Sequence, residues 1–359
     1  MSTENLRETA GRMLKVIGSK QLCIIHHWDA DGVASAATLS LVSKSVVGYY
    51  VPPYTYRVDG KVIDEIKRKC SRSGAIAVVD YNLPGGTLDL LWAKLQKPII
   101  VIDHHYQPEP PKKPFVLWFN PASNGDPRGF WPSASHVIAS LTGMYKPLVV
   151  VLGIVGDLRE RARANRIYQK YMIEAKLDHL KDYNLIAECV GQIMAADIMG
   201  RRDILEHLSS RLADHSTDPC RLLLQDGLLS MLRVQVEDEY KSLVKKAVDN
   251  DSYFAGVRVF RLDGNGRHVS SLARRLADVY KNDIVIVSYY WKPLNRTYIY
   301  IRTMRDQPKL INLLRYARSA GFTAGGKYQP GNNVVGIEVK GVAGEDVLES
   351  ILSWIHKIR

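Results

Sequence analysis

The stretch LCIIHHWDADG, residues 22–32, decides the fold. Its first four residues form a short apolar run that predicts a buried strand, and residues 32–46, rich in small side chains, predict a helix. Gly32 allows a sharp turn between the two. A buried strand followed by a turn and a helix is typical of a parallel sheet covered by helices. We therefore expect an α/β protein.

Three more apolar runs predict further strands of the same sheet, at residues 75–80, 98–103 and 147–157. Each run ends in an acidic residue. Parallel sheets bind ligands beyond the carboxyl ends of their strands, so the acidic residues are expected to meet at one edge. The residues expected at this edge are Asp29, Asp31, Asp80, Asp103 and Asp157.

The length of 359 residues is sufficient for two domains. The pattern predicts an N-terminal domain with a parallel sheet flanked by helices over residues 1–220 and a helical connector over residues 221–250. Residues 251–359 alternate strand and helix signals and predict a smaller C-terminal α/β domain.

Composition restricts the partners and the location. The formal net charge of +12 favours a polyanionic partner such as nucleic acid. The four cysteines, at positions 23, 70, 189 and 220, are widely spaced, which argues against a zinc ribbon or a disulfide framework and for a reducing cytoplasm. No stretch is long and apolar enough to cross a bilayer, so we expect no membrane association.

The acidic edge also contains imidazoles. Asp29 and Asp31, separated by one residue, can reach two different metal ions, and His104 and His105 directly after Asp103 suit ligation of a divalent metal. Each motif has a structural alternative, such as a helix start at which Asp31 accepts backbone N–H groups. Together the motifs predict two divalent ions, which can activate an in-line attack on phosphorus.

The order D-x-D-G, D, D-H-H and G-D over residues 22–160 resembles the DHH phosphoesterase superfamily, which includes RecJ-type exonucleases, oligoribonucleases and family II pyrophosphatases. The sequence H-x-D-A-D-G is especially similar to the archaeal RecJ-like branch, with its Hef-associated and GINS-associated nucleases. The resemblance implies a Mn²⁺-dependent exonuclease, with Mg²⁺ as the alternative ion, that hydrolyses single-stranded nucleic acid or short oligonucleotides to nucleoside 5′-monophosphates. It also implies a role in DNA repair and a helicase or GINS-like partner in replication or repair. A homo-oligomer is a separate expectation.

The resemblance further implies a ligand for each metal position. The first ion would be held by His27, Asp29 and Asp80, and the second by Asp31, Asp80, His104 and Asp157. RecJ proteins carry an aspartate in place of His27, and His26 competes with His27 for this role. Asp103 would orient a histidine and His105 would face the scissile phosphate, so the residues implied for catalysis are Asp80, Asp103 and His105.

The C-terminal half resembles the DHH-associated substrate domain, in which a G-G-G-H loop and an S-x-R strand contact phosphate. Residues 323–333 correspond to the loop: Gly325 and Gly326 match, and Lys327 replaces the histidine. A lysine meets phosphate as a point charge, without the geometry of imidazole. Arg302 matches the arginine of S-x-R, which makes these four residues the expected substrate-binding set.

Three other functions are weighed against the nuclease. A small-substrate phosphoesterase would act on dinucleotides, cyclic dinucleotides or pyrophosphate, and the Lys327 replacement keeps it open. A non-catalytic RecJ-like replication scaffold would be expected to have lost ligands that this chain retains. A hydride-transfer enzyme is disfavoured because no G-x-G-x-x-G follows the first strand.

Overall fold

The computed structural model describes residues 3–55, 58–81, 83, 85–105, 113–124, 130–305, 310–327, 333–341 and 344–357. The chain forms two compact units. Unit 1 comprises Met1–Asp197 and Arg201–Arg233, and unit 2 comprises Ile198–Gly200 and Val234–Arg359. The division falls inside the helix Gly227–Asp249, within the segment predicted as a connector.

Unit 1 is built on a five-stranded sheet in which every neighbouring pair is parallel. Its strands are β1 (Gln21–His26), β2 (Ser45–Tyr50), β3 (Ala75–Val79), β4 (Ile99–Ile102) and β5 (Val116–Phe119). They lie in the order β2-β1-β3-β4-β5. The predicted parallel sheet is confirmed. The two edge strands, β2 and β5, were not predicted; β2 is only half-buried over most of its length, so it lacks the continuous apolar signal of the central strands.

Eleven α-helices precede the strands of unit 2 in the described chain. They are α1 (Thr3–Ser19), α2 (Ala30–Val42), α3 (Gly60–Lys69), α4 (Gly85–Leu95), α5 (Ala134–Thr142), α6 (Pro147–Leu158), α7 (Arg166–Glu174), α8 (Tyr183–Ile198), α9 (Arg202–Leu212), α10 (Pro219–Leu224) and α11 (Gly227–Asp249). Among those that contact the sheet of unit 1 are α2, α5 and α9. A core cluster joins α1, α2 and α5 to β1, β3 and β4, with fully buried Ile17, Ile24, Leu39 and Ile100 among its members. No helix within the described ranges is both long and apolar enough to span a bilayer.

The prediction of a strand over residues 147–157 is wrong, because this segment is the helix α6. Residues 149–155 are all buried, so the run is apolar on every side and carries no periodicity that separates a helix from a strand. Pro147 in the first turn favours a helix start. Gly153 and Gly156 lie three residues apart, and this spacing puts both on the face that packs against α2.

The cysteine spacing argues against a disulfide framework, but Cys23 and Cys70 form a single disulfide, which the sequence pattern did not predict. Cys23 lies in β1, and Cys70 caps the carboxyl end of α3, 47 residues later in the chain. The fold brings together two cysteines whose spacing in the sequence does not predict a disulfide. Cys189 and Cys220 are free and buried.

Unit 2 contains a six-stranded mixed sheet in the order β10-β11-β9-β8-β7-β6, in which β7 and β8 are parallel and the other described pairs are antiparallel. Its strands are β6 (Ser252–Phe254), β7 (Val257–Gly264), β8 (Ile284–Trp291), β9 (Arg296–Thr303), β10 (Thr323–Lys327) and β11 (Asn333–Lys340). Its helices are α12 (Val269–Val279), α13 (Leu310–Ser319) and α14 (Gly344–Lys357). Leucine and isoleucine side chains from α13 and α14 pack with Ile286, Ile299 and Ile337 of the sheet in one core.

Candidate metal centre

The turn between β1 and α2 carries His27 and Asp29. Asp29 is the N-cap of α2 and accepts a hydrogen bond from the Gly32 amide at 3.0 Å. A Cβ atom at Gly32 would lie 2.2 Å from the carbonyl oxygen of His27, so only glycine fits there. The other carboxylate oxygen of Asp29 is 2.7 Å from His27 Nδ1. Burial alone would raise the pKa of Asp29, but His27 beside it holds that pKa below its usual range.

Asp80 follows β3 and occupies the middle of the site. Its Oδ2 lies 4.0 Å from His27 Nδ1, and its Oδ1 lies 3.6 Å from His104 Nε2 and 3.7 Å from His105 Nδ1. Burial, together with the negative charge of Asp31, raises the pKa of this carboxyl well above its usual value. Asp80 also has a φ of 53°, in the left-handed region that aspartate tolerates better than most residues.

The tripeptide Asp103-His104-His105 follows β4. Asp103 Oδ1 accepts the amide N–H of His104 at 2.7 Å and that of His105 at 2.9 Å, and it lies 2.8 Å from His105 Nδ1. Burial acts to raise the pKa of Asp103, but His105 and the hydrogen bonds keep it below its usual value. Asp103 thus organises the turn and holds the ring of His105, which is partly exposed.

His104 faces the carboxylates. Its Nε2 is 3.0 Å from Asp157 Oδ2 and 3.8 Å from Asp31 Oδ2, and its Nδ1 lies 3.2 Å from the carbonyl oxygen of Trp131. Burial would lower the pKa of His104, but the hydrogen bond and charge of Asp157, with the charges of Asp31 and Asp103, raise it to about 9. A proton on Nδ1 directed at the Trp131 carbonyl leaves Nε2 as the nitrogen that can bind a metal.

Asp31 is fully buried, and both of its oxygens accept hydrogen bonds from the first turn of α5. Oδ2 accepts the Ala134 amide at 2.6 Å, and Oδ1 accepts the Ser135 amide at 3.1 Å. The structural alternative considered for Asp31 is therefore present as well, although the amides belong to α5 and not to its own helix. Burial and the charge of Asp157 raise the pKa of Asp31 to about 6.

Asp157 lies in the last turn of α6, not at the end of a strand. Helix α6 approaches α2 closely because of its two glycines. A Cβ atom at Gly153 would lie 2.3 Å from Asp31 Oδ1 and 2.2 Å from Ser135 Oγ, and one at Gly156 would lie 2.8 Å from the Cβ of Ala30. These contacts bring Asp157 to the same edge of the sheet as the other acidic residues.

Two groups of side chains could each hold a metal ion. The first ligand group consists of His27, Asp29 and Asp80, and the second ligand group consists of Asp31, His104 and Asp157. In each group the ligand atoms all lie within 4.8 Å of one another. Asp80, His104 and His105 form a third such combination, so Asp80 and His104 connect the groups.

The residues fit divalent cations. Asp80 Oδ1 is a buried atom for which the described ranges provide no hydrogen-bond partner, and His104 Nε2 faces the carboxylates of Asp157, Asp80 and Asp31. The raised pKa values of Asp31 and Asp80 reflect burial of carboxylates beside like charges, a repulsion that divalent cations would relieve. Carboxylate oxygens with one imidazole per ion suit a hard or borderline metal such as Mn²⁺ or Mg²⁺.

His26, the alternative to His27 as a metal ligand, is buried and contacts other groups of the fold. Its Nδ1 lies 2.7 Å from the His27 carbonyl oxygen, and its Nε2 lies 3.1 Å from Ser209 Oγ. Burial lowers its pKa to about 4. The geometry therefore favours His27 as the candidate ligand.

The expected substrate-binding residues belong to unit 2. Arg302 is a buried residue of β9 and pairs with Val334 of β11, which in turn pairs with Lys327 of β10. Gly325 and Gly326 were predicted in a loop, but both lie in β10. A Cβ atom at Gly326 would lie 2.5 Å from the carbonyl oxygen of Val334, so close strand pairing accounts for this glycine. The phosphate-binding role of these residues stays a prediction.

Sequence reasoning missed residues 131–135, WPSAS, which contact Asp31 and His104 through backbone atoms. Because these contacts use backbone atoms, they require no particular side chain that a sequence motif could reveal. The only available signal was Ser133, a common N-cap residue, before an apolar helical run.

Comparison with known proteins gives a match to one family model over part of the chain and matches to solved structures. Residues 21–155 match the family model described as DHH family, N-terminal domain. RecJ from Thermus thermophilus in complex with Mn²⁺ superimposes on the whole chain with a TM-score of 0.68 at 16% identity, and the chain spans 56% of that protein's length. A second structure, exonuclease RecJ bound to manganese, gives a TM-score of 0.68 at 18% identity and is covered to 96%, again with the whole of this chain.

CDC45 from Entamoeba histolytica shares the fold at a TM-score of 0.52 and 11% identity, with 99% of this chain and 98% of that chain covered. A search of curated proteins finds no match. At these identities the likeness to solved structures establishes the fold.

Proposed function

Because residues 21–155 form a DHH-family domain within a RecJ-like fold, we propose that the chain is a metal-dependent phosphodiesterase that cleaves single-stranded nucleic acid or short oligonucleotides. One observation carries the proposal: two ligand groups from separate segments meet around a single buried aspartate, Asp80. Such an arrangement can hold two divalent ions side by side. Mn²⁺ is the proposed ion and Mg²⁺ the alternative.

The divalent ions, when bound, would supply an activated water and neutralise charge that develops on the phosphate. Asp80 lies between the two ligand groups and would contribute to both positions. Asp103 holds Nδ1 of His105, which leaves Nε2 of this partly exposed ring to exchange a proton with the substrate or the leaving group. Trp131 fixes the ring of His104 through its carbonyl oxygen, so that His104 Nε2 remains available for an ion.

Nucleic acid is the proposed substrate because the chain carries a net charge of +12. The resemblance to RecJ-type enzymes supports single strands as substrates and nucleoside 5′-monophosphates as products. Arg302 and Lys327 would meet a phosphate in the substrate domain. The cytoplasmic location, the homo-oligomer and the replication or repair partner stay predictions from the sequence.

A digestion series tests the proposal. Single-stranded DNA and RNA oligonucleotides, labelled at either end, are incubated with the protein and Mn²⁺, Mg²⁺ or EDTA. We expect cleavage with Mn²⁺, none with EDTA, and mononucleotides as the product. A correctly folded protein that releases no product from any oligonucleotide with either ion would refute the assignment.

A phosphoesterase for small substrates is the second candidate, because Lys327 replaces the histidine that the substrate domain usually carries. A dinucleotide and a long oligonucleotide, compared at equal concentrations of phosphodiester bonds, separate the two functions. Faster turnover of the dinucleotide would favour the small-substrate enzyme, and faster turnover of the long strand would favour the nuclease.

A further inference from the structure

Residues 131–135, here called the positioning segment, contact two of the three members of the second ligand group. The Trp131 carbonyl oxygen lies 3.2 Å from His104 Nδ1. The amides of Ala134 and Ser135 donate to the two oxygens of Asp31 at 2.6 and 3.1 Å. All three contacts use backbone atoms, so they depend on the conformation of the segment and not on its side-chain chemistry.

We propose that the positioning segment sets the affinity for one of the two metal ions, the ion of the second ligand group. The inference rests on the proposed function, since it assumes that the ligand groups bind metal. Groups that hydrogen-bond to metal ligands fix the orientation of those ligands, and their loss typically weakens metal binding about 10- to 100-fold.

The start of α5 is built to present these amides. The first N–H groups of a helix have no partner within the helix and carry partial positive charge, which suits a carboxylate. Ser133 caps α5 by accepting the His136 amide at 3.1 Å, and its hydroxyl lies 2.9 Å from that of Ser135. Both serines are fully buried. The cap therefore fixes the first turn of α5 and, with it, the two N–H groups that hold Asp31.

Helix α6 also packs against Ser135 and Asp31. The position of Gly153 leaves no room for a methyl group beside Ser135 Oγ and Asp31 Oδ1. The first ligand group has different neighbours. The ring of Trp28 lies 4.2 Å from that of His27, and Gly32 donates to Asp29. A disturbance at Gly153 should therefore reach one ion and spare the other.

Electron paramagnetic resonance of Mn²⁺ tests this, because free and bound Mn²⁺ are distinguished during a titration. We expect two ions per chain in the unmodified protein. In Gly153→Ala one ion should be retained and the affinity for the other should fall about 10- to 100-fold. The matched control is Gly18→Ala, the same change in α1, where a Cβ atom would meet no atom within 4 Å.

A second pair of variants keeps the test valid if Gly153→Ala does not fold. Ser133→Ala removes the cap hydroxyl and should weaken one ion only, whereas Ser133→Thr keeps a hydroxyl and should bind both. The inference is overturned if Ser133→Ala, or a folded Gly153→Ala, binds two ions with unchanged affinity. A protein that binds two ions but cleaves no phosphodiester would overturn the proposed function and leave this inference standing.

Discussion

The two ligand groups are supported in opposite ways. The first group draws on two short segments, residues 27–29 and Asp80, and the side chain of Asp29 is 28% exposed. The second group draws on three distant segments, and its Asp31 is fully buried and held by backbone N–H groups of α5. Each group reaches solvent through one carboxylate, Asp29 in the first and Asp157 in the second. The first group draws on the turn after β1 and on Asp80, whereas the second depends on how α2, α5 and α6 pack. Changes in packing should therefore affect the second ion before the first.

The largest effect is expected at Asp80, because this residue lies close to both ligand groups and its loss should affect both metal positions. Asp80→Ala removes a carboxylate close to ligands of both groups, so hydrolysis should fall by more than about 10,000-fold, beyond the range for loss of one proton-transfer group. The rate of oligonucleotide cleavage with Mn²⁺ measures this. Near-normal activity would show that neither group works as assigned.

His105 is expected to come next. His105→Ala removes a ring held by Asp103, and as a proton-transfer group it should lower kcat by about 100- to 10,000-fold. It belongs to neither ligand group, so Mn²⁺ stoichiometry in a titration should stay at the unmodified value. Loss of an ion in this variant would instead make His105 a ligand.

A pair of substitutions then contrasts the two groups in stability. Asp31→Ala leaves two buried amides of α5 without their acceptor, at about 1–3 kcal/mol each. Asp29→Ala removes a helix cap, which typically contributes about 1 kcal/mol. Urea unfolding without added metal, at about pH 5, where the raised pKa of Asp31 leaves its carboxyl mostly uncharged and free of repulsion by Asp157, should therefore show the larger loss for Asp31→Ala. Equal losses would mean that the second group is no more deeply built into the fold than the first.

The smallest expected effect is a loss of folding stability at acidic pH. Burial, and then the charge of Lys170, lowers the pKa of His136 in α5 to about 4, below its ordinary value of 6.5. The folded protein therefore holds this ring neutral. The stability that depends on the neutral ring is fully present above about pH 6.5 and is lost as pH falls towards 4. Between about pH 7 and pH 5 this group should lower the free energy of unfolding by about 2 kcal/mol.

The variant His136→Gln should lose less stability over that range, measured by urea unfolding at both pH values. A pH dependence identical to that of the unmodified protein would exclude a buried neutral His136 behind the second ligand group.

The contrast between the groups also explains what the sequence could predict. Asp29, Asp80 and the tripeptide 103–105 follow buried strands, and such runs of hydrophobic residues followed by polar ones are visible in the sequence. Asp157 lies close to Asp31 and His104, but its helix was predicted as a strand because α6 is buried over residues 149–155. Local patterns carry no information about a helix face that only tertiary packing covers.

Two other features were hidden for related reasons. The disulfide joins cysteines 47 residues apart, and their proximity depends on how α3 lies against β1. The contacts of residues 131–135 with Asp31 and His104 use backbone atoms, which every residue has. Both features follow from the packed fold and not from any motif.

The left-handed backbone of Asp80 has a practical consequence for trapping a complex. Alanine in that conformation adds about 1–2 kcal/mol of steric strain, so Asp80→Ala alters the turn as well as the charge. Asparagine is among the few residues that adopt this conformation readily, and Asp80→Asn would neutralise the carboxylate while preserving the turn. Crystals of that variant, soaked with an uncleaved oligonucleotide, are the most direct way to see how a strand enters the site.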